Sequence, residues 1–388
     1  MRDQPAPATR AITAGRRQQG SSLAPPLWGA STWQTEGLDD TRKRAVDMRP
    51  DDFYSRYANP TVRAFEEAMA ELENAEEALA FGSGMGAIAS TVLALCSAGD
   101  HIVAQQQLYA GTLAFIQGPC ARFGIEHTLV DGTRPGAFAE AVQPGRTMLV
   151  VAESPSNPRL DLVDLEDLGR VAGPFTLVDS TFATPIGQRP IDFGVDLVLH
   201  SATKGISGHN DATLGVVAGA RDLLDAIWAY GVLHGATPSP YDALNGIRGI
   251  RTLAVRQHHQ AGVALRLAEL LVAHPGVVAV HYPGLADHPQ HALACRQLLC
   301  PPTVLAIDLR GGLDSARTMM DGLRLVRCAT SLGGPETLVC HSASSTHVSL
   351  TPDEQQRIGI TPGLVRISVG LEDADDLIAD LTQAIPVS

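Results

Sequence analysis

Apolar residues recur at three- and four-residue spacing through FEEAMAELENAEEAL, which predicts a helix from Ala64 to Leu79. A glycine turn follows, and a second apolar helix is expected from about Met85. Beyond it come short apolar runs, HIVA, TMLVVAE, FTLVD and VDLVLHS, separated by helix-like or loop segments. Such alternation favours a mostly parallel sheet covered by helices. RTLAVRQHHQAGVALRLAELLVAH predicts a long helix over Ile250 to His274, stopped by Pro275-Gly276. The strand-like runs VVAVHY, VLAIDL and LVRISV after it, with helices between, predict a smaller α/β domain. The first fifty residues are polar, rich in Pro, Arg and Gln and weakly periodic, so they read as an extended arm that stays mobile or wraps something else. The expected division is an arm over 1–58, a large sheet domain over 59–248 and a small domain over 249–388.

Composition narrows the function classes. The chain has 388 residues, 45% hydrophobic and 18% charged, enough for one large core and a second, smaller one. No apolar run approaches the roughly 18 residues of a membrane span. Arg10, Arg16 and Arg17 have no apolar stretch behind them, so a signal peptide is not expected and a cytoplasmic location is. A formal charge of −13 repels phosphate backbones and anionic lipid, which argues against nucleic-acid or membrane partners. The six cysteines, 96, 120, 295, 300, 328 and 340, form no C-x-x-C pair and read as reduced thiols. His258-His259 and the group His281, His288 and His291 match no zinc spacing, so no metal is expected.

Three apolar runs end in polar clusters: Glu153-Ser154-Pro155-Ser156-Asn157-Pro158, Asp179-Ser180-Thr181 and Ser201-Ala202-Thr203-Lys204. If the sheet is parallel, all three clusters share one edge, where ligands of open α/β sheets bind. Each cluster alone has a bland reading: a turn, a cap, a solvated lysine. Their common edge is the signal. Phe81-Gly82-Ser83-Gly84-Met85-Gly86 adds a glycine turn at a helix start, where free N–H groups attract phosphate. It lacks the G-K-[ST] of a P-loop and the G-x-G-x-x-G-plus-acid pattern of a dinucleotide site.

A lysine among hydroxyls, an aspartate on a neighbouring strand and a phosphate cradle suit pyridoxal phosphate. Lys204 would form a Schiff base with the aldehyde, and Asp179 would keep the pyridine nitrogen protonated so that the ring accepts electrons. Ser201, Thr203 and the amides of Gly84 and Met85 would hold the phosphate. Tyr109 would stack on the ring, and Arg366 would take a substrate carboxylate by a two-pronged bond.

The stretches YSRYANPT (54–61), SGM (83–85), ESPSNP (153–158), VDSTFATP (178–185), HSATKGISGH (200–209), YPGLADHPQH (282–291), SLGGPETL (331–338) and GLVRISVGLED (363–373) resemble the Cys/Met-metabolism family of pyridoxal-phosphate enzymes. That family includes cystathionine synthases and lyases, methionine γ-lyase and homoserine sulfhydrylases. The resemblance runs from about residue 25 to the C-terminus. It implies the fold of the aspartate-aminotransferase-like (fold type I) enzymes and elimination or replacement at the γ or β carbon of a sulfur-type or homoserine-derived amino acid.

The resemblance also distributes roles. Lys204, Tyr54, Tyr109 and Asp179 are the expected catalytic set. Ser83, Gly84, Met85, Ser201 and Thr203 surround the phosphate, and Asn157 lies near the cofactor's phenolic oxygen. Ser331, Arg366 and Asn157 receive the substrate. Tyr54 and Arg56 reach the phosphate of a neighbouring subunit, which implies an obligate dimer, usually paired again into a tetramer.

Some positions depart from the family pattern. Gly205 follows the lysine where an aromatic is usual, and Pro301-Pro302 replaces a more glycine-rich strand entry. Thr330 stands where cystathionine enzymes carry glutamate, and Gly111 where methionine γ-lyases carry a cysteine. These favour, modestly, an O-acyl-homoserine over cystathionine or methionine. A nucleotide-dependent dehydrogenase lacks its glycine fingerprint here. A catalytically silent scaffold is disfavoured by the intact Lys204, Asp179, Tyr54 and Arg366.

Overall fold

A computed structural model describes residues 5–17 and 20–387. The large sheet comprises β1 (Glu77–Phe81), β2 (His101–Gln105), β3 (Glu126–Val130), β4 (Thr147–Glu153), β5 (Phe175–Asp179), β6 (Leu197–His200) and β7 (Gly215–Gly219), in the order β1-β7-β6-β5-β4-β2-β3. Only β7 runs against the others. Its neighbours in sequence explain the rest: helices and loops return the chain to the same sheet edge before each parallel strand. Most of these strands are buried along their length, which is why they read as short apolar runs rather than alternations.

Both faces are covered. On one, Ala87, Ile88 and Val92 of helix Gly84–Leu95 and Ile227 and Trp228 of helix Arg221–His234 pack on Leu149, Leu177, Leu197 and Val217. On the other, Phe65, Met69 and Leu72 of helix Pro60–Glu73 meet Val198 and Val216 together with Ile247, Ile250 and Leu253.

The second sheet joins β8 (Val277–His281), β9 (Val304–Leu309), β10 (Arg327–Cys328), β11 (Leu338–His341) and β12 (Leu364–Ser368) in the order β10-β11-β12-β9-β8. Its pairs are antiparallel except β10 with β11. Val365 and Ile367 enter the core of this domain, whereas Leu364 faces a separate cluster with Leu160 and Phe182 of the large domain. The two-residue period of a strand therefore turns Arg366 towards the large domain.

Three sequence expectations are corrected. The helix expected over Ala64–Leu79 runs from Pro60 to Glu73; Asn59 caps it by accepting from the Thr61 N–H at 2.9 Å, and left-handed Asn74 ends it. Glu77–Leu79, expected to be helical, belong to β1, because pairing with β7 outweighs local helix preference. The long helix starts at Pro240, not Ile250, with Ser239 as its cap. It runs unbroken to Val272, so residues 248 and 249 lie inside a helix whose first half packs on the large sheet and whose second half, through Ala264, Leu267 and Leu271, packs on the small one. Finally, part of the arm is neither extended nor free. Pro7–Thr13 is a helix whose Ala11 is buried in the large domain's core, and the following Ala14 is buried there too. Arg10 is buried with them and donates to the Glu71 carbonyl at 2.7 Å and to Asn74 Oδ1 at 2.5 Å. Among the described residues no helix is long and apolar enough to cross a membrane.

Arg10 thus fastens the first helix to the chain's own body. Arg10→Ala removes two hydrogen bonds donated by a buried cation and should lower stability by about 1–3 kcal/mol. Urea unfolding of the two proteins checks this; equal midpoints would mean that the docking is not energetic.

Candidate active site

The ends of β4, β5 and β6 meet the small domain around a cavity of about 460 Å³. Strand register puts Glu153 of β4 beside Asp179 of β5. Lys204 follows β6 by one turn, and Ser331 and Arg366 come from the small domain. Eleven of the thirteen sequence-predicted site residues line the cavity: Ser83, Gly84, Met85, Tyr109, Asn157, Asp179, Ser201, Thr203, Lys204, Ser331 and Arg366.

Lys204 Nζ donates to Ser331 Oγ at 2.8 Å. Burial pushes its amine below the usual lysine range, and the charge of Arg366 pushes the same way. A neutral amine, the nucleophilic form, is thereby favoured. Ser331 sits in the left-handed region, φ 81°, an uncommon conformation for a residue with a Cβ. That turn lets its hydroxyl face Lys204 while its carbonyl accepts from Arg366 Nη2 at 2.7 Å. Arg366 Nη1 donates to Asn157 Oδ1 at 2.9 Å. The guanidinium is 3% exposed and its Nε has no partner among the described residues. Both bonded acceptors are neutral. A buried cation of this kind needs an anion, and a carboxylate entering the cavity supplies one.

Two carboxyls lie side by side on the opposite wall. Burial raises Glu153 well above the usual range, and the neighbouring Asp179 charge adds to it. Burial raises Asp179 as well, against two hydrogen bonds from Thr181, one from its N–H at 3.0 Å and one from its hydroxyl. Glu153 accepts from the N–H groups of Tyr109 and Asn157, both at 2.7 Å, and so fixes two loops of the site. Burial thus disfavours ionisation of both carboxyls, and Asp179 is the one whose hydroxyl and N–H donors from Thr181 support an anion that can face a pyridinium.

At the other end, helix Gly84–Leu95 points its N-terminus at the cavity. Ser83 is its cap, accepting from the Gly86 N–H at 3.0 Å, which leaves its O–H to donate. A Cβ at Gly84 would stand 2.8 Å from Cβ of Ser201, so only glycine leaves the cradle open. Thr203 also lines the cavity. Its hydroxyl donates to the Leu214 carbonyl at 3.1 Å and accepts from the Leu214 N–H at 2.8 Å, closing the loop that returns to β7. Tyr109 is 41% exposed at the mouth, and its ring rests over Gly111, where a Cβ would lie 2.5 Å from Cε1.

Tyr54 and Arg56 are not in this cavity. Arg56 donates to the Val232 carbonyl at 2.9 Å and lies over the Tyr54 and Tyr57 rings. Glu153, Thr181 and Phe182 line the cavity without having been singled out. Glu153 and Thr181 stand in the polar clusters at two strand ends, and that position was their available signal. The loop histidines have other partners: His281 pairs with Asp308 at 2.7 Å, and burial, with the charges of His281, Arg159 and His291, pushes His288 down to about 4.

The donor set fits pyridoxal phosphate: an amine of lowered basicity, a buried carboxylate and a helix N-terminus kept open by glycine. Gly84→Ala narrows the cradle. It should weaken retention of pyridoxal phosphate at least about tenfold, roughly 1.4 kcal/mol. Equilibrium dialysis of the cofactor measures this; unchanged retention would mean that the cradle does not hold the phosphate.

Comparison with known proteins agrees with this geometry. The family model for Cys/Met metabolism PLP-dependent enzymes matches residues 8–386. The chain is 42% identical to L-methionine gamma-lyase of Pseudomonas putida, over 98% of this chain and 97% of that protein. It is 39% identical to O-succinylhomoserine sulfhydrylase of Pseudomonas aeruginosa, over 97% and 94%. The structure of cystathionine gamma synthase from Xanthomonas oryzae pv. oryzae, in complex with aminoacrylate and cysteine, superposes with a TM-score of 0.90 at 36% identity, covering 97% of both chains. The chain belongs to the Cys/Met metabolism family of PLP-dependent enzymes.

Proposed function

We propose that this cavity carries out γ elimination or replacement on a homoserine-derived amino acid, with a modest preference for an O-acyl ester. One observation carries the reading: Lys204 Nζ is held by Ser331, whose carbonyl in turn holds the unpaired Arg366. The amine therefore stands beside the place where a substrate carboxylate docks. Pyridoxal phosphate bound here supplies an electron sink for a carbanion at the substrate's α carbon.

The chain's own residues do the rest. Arg366, Ser331 and Asn157 fix the carboxylate and so aim the α proton at Lys204. Lys204 removes that proton and then one from the β carbon, and Tyr54 of a second copy lowers the first barrier or protonates the leaving group. Asp179 would meet the pyridine nitrogen, the amides of Gly84 and Met85 with Ser201 would hold the phosphate, and Tyr109 would stack on the ring. Thr330 brings no charge and Gly111 no thiol to the pocket wall, which supports the ester preference. A second reading, γ elimination of methionine, is favoured by the relatives that carry that name, at 42%, 38% and 40% identity.

The reading includes a shared site. Leu23, Leu38, Val46 and Tyr54 are all exposed apolar side chains on the segment after the docked helix, a surface that suits burial against another copy. Arg56 and Tyr54 would be donated across a two-fold axis, and two such pairs would form a cytoplasmic homotetramer.

Lys204→Ala should fold and lose at least about 10³-fold in kcat, since base and covalent anchor go together. Near-normal turnover without added amines would sink the assignment. Mixing Arg56→Ala with Lys204→Ala should restore part of the activity, because one site of a mixed pair regains both native residues; no recovery despite proven subunit exchange would mean sites built within single chains. For substrate choice, kcat/KM for an O-acyl-homoserine, cystathionine and methionine decides. A tenfold advantage, about 1.4 kcal/mol, for either thioether rejects the ester preference.

A further inference from the structure

The long helix Pro240–Val272 passes from one hydrophobic core to the other between Ala254 and Val263. Over that stretch its inward face is polar. Arg256, Gln257 and Gln260 are buried, at 5%, 2% and 2% exposure. Their spacing puts them on one stripe of the helix, while His258 and His259 turn to solvent. Burying such side chains costs free energy unless each finds acceptors. None of the three lines the catalytic cavity, but each reaches the backbone of a segment that does.

Arg256 Nη1 donates to the Gly205 carbonyl at 2.8 Å and Nη2 to that of Ile206 at 3.3 Å, the two residues that follow Lys204. Its other bonds, to the Gly249 carbonyl at 2.8 Å and Thr252 Oγ1 at 3.1 Å, stay within its own helix. All four acceptors are neutral, and burial pushes the guanidinium down to about 10. Glycine makes room for it: a Cβ at Gly208, φ 71°, would collide with Nη1. Gln257 Nε2 donates to the Ala183 carbonyl at 3.2 Å, in the turn after Asp179 that carries Thr181 and Phe182. Gln260 Nε2 donates twice, to the Gly334 carbonyl at 3.0 Å and the Val369 carbonyl at 2.9 Å. Those carbonyls lie just beyond Ser331 and Arg366, and the Gly333 N–H donates to Ser368 Oγ at 3.0 Å between them.

We propose that Arg256, Gln257 and Gln260 are positioning residues that set three walls of the active site against one another from a single helix. Arg256 holds the turn of Lys204, Gln257 the turn of Asp179, and Gln260 the loop of Ser331 together with the strand of Arg366. A helix rises about 1.5 Å per residue, so the first and last of these donors are anchored about 6 Å apart along one rigid axis. The 2.8 Å contact between Lys204 and Ser331 joins segments held at those two points. Directionality is the reason for a polar stripe here. An apolar contact resists separation but not sliding, whereas a donor aligned on a carbonyl resists both. This assignment rests on the reading of Lys204 as the base and Arg366 as the carboxylate site, and it is independent of the leaving group.

The test uses the holoenzymes and L-norvaline, an amino acid with no leaving group on its γ carbon. Three quantities are measured: norvaline Kd from the change in cofactor absorbance, exchange of its α proton in deuterium oxide at saturation, and cofactor retention in equilibrium dialysis. Arg256→Lys keeps the charge and loses the fork, so exchange should fall at least about tenfold while Kd stays within about twofold. Gln260→Met should raise Kd about tenfold and slow exchange less than Arg256→Lys does. Gln257→Met should weaken cofactor retention at least about threefold and leave norvaline Kd of the loaded enzyme within about twofold. Urea midpoints are recorded for all four proteins. Because each variant has its own quantity, any two that fold decide the matter. Quantities that fall together in every variant, in step with the urea midpoint, would make the stripe plain scaffolding and overturn the proposal. Variants that match the wild type throughout overturn it too. A wild-type holoenzyme that exchanges no α proton of norvaline removes the reading of Lys204 as the base, and this proposal with it.

Discussion

A buried cation with no counter-ion among the described residues organises this site. Arg366 is carried on a strand, faces out of its own domain and meets two neutral acceptors, Ser331 O and Asn157 Oδ1. Two hydrogen bonds reduce the cost of burying the guanidinium but leave its charge uncancelled. The surroundings register that field. It helps to hold Lys204 below the ordinary lysine range and opposes the upward push on Glu153. A carboxylate entering the cavity would pair the arginine and lie beside the amine. By cancelling the field it would also remove one of the two pushes that keep Lys204 below the ordinary lysine range.

The large sheet supplies the opposing sign. Because β4 and β5 are parallel and in register, their last residues, Glu153 and Asp179, come to the same edge. Two buried carboxyls cannot both ionise cheaply, so they divide the work. Glu153 organises the loops bearing Tyr109 and Asn157. Asp179 is held by the N–H and the hydroxyl of Thr181. Thr181 also accepts from the Ser201 N–H at 2.8 Å, so the carboxylate at β5 and the cluster after β6 are positioned by one hydroxyl. The long helix Pro240–Val272 belongs to both cores and so holds this wall at a fixed distance from the one that carries Arg366.

Polar clusters that end apolar runs were enough to find Lys204, Asp179, Asn157 and Ser201 in the sequence, because a parallel sheet leaves such clusters nowhere else to go. The same reasoning covered Glu153 and Thr181 without distinguishing them, since their roles depend on which carboxyl keeps a proton and on which N–H a hydroxyl meets. The engagement of Thr203 with Leu214 was not legible, as it requires the loop's return to β7. Nor was the docking of Pro7–Thr13, whose seven residues are too few to show a periodicity and are held by Arg10 reaching a distant helix end. The error over Glu77–Leu79 has a similar cause: the segment continues a helical spacing, and only its partner strand, some 140 positions later, makes it β1.

Gly111 shows how a substitution that reads as drift can carry structural weight. In sequence it registers only as a missing thiol. In the fold, its absent Cβ is the space that the Tyr109 ring occupies, with Met85 Sδ closing the other side at 3.2 Å. A cysteine there would force the ring from its seat, since an aromatic edge 2.5 Å away cannot yield by a simple rotamer adjustment of a flexible tip. The seat matters because the same ring covers the mouth of the cavity and follows directly from the N–H that Glu153 anchors. The identity of residue 111 is therefore coupled to where the aromatic lid rests, and through it to the width left for a leaving group. A side chain at residue 111 would thus change the seat of Tyr109 and the width of the cavity mouth together.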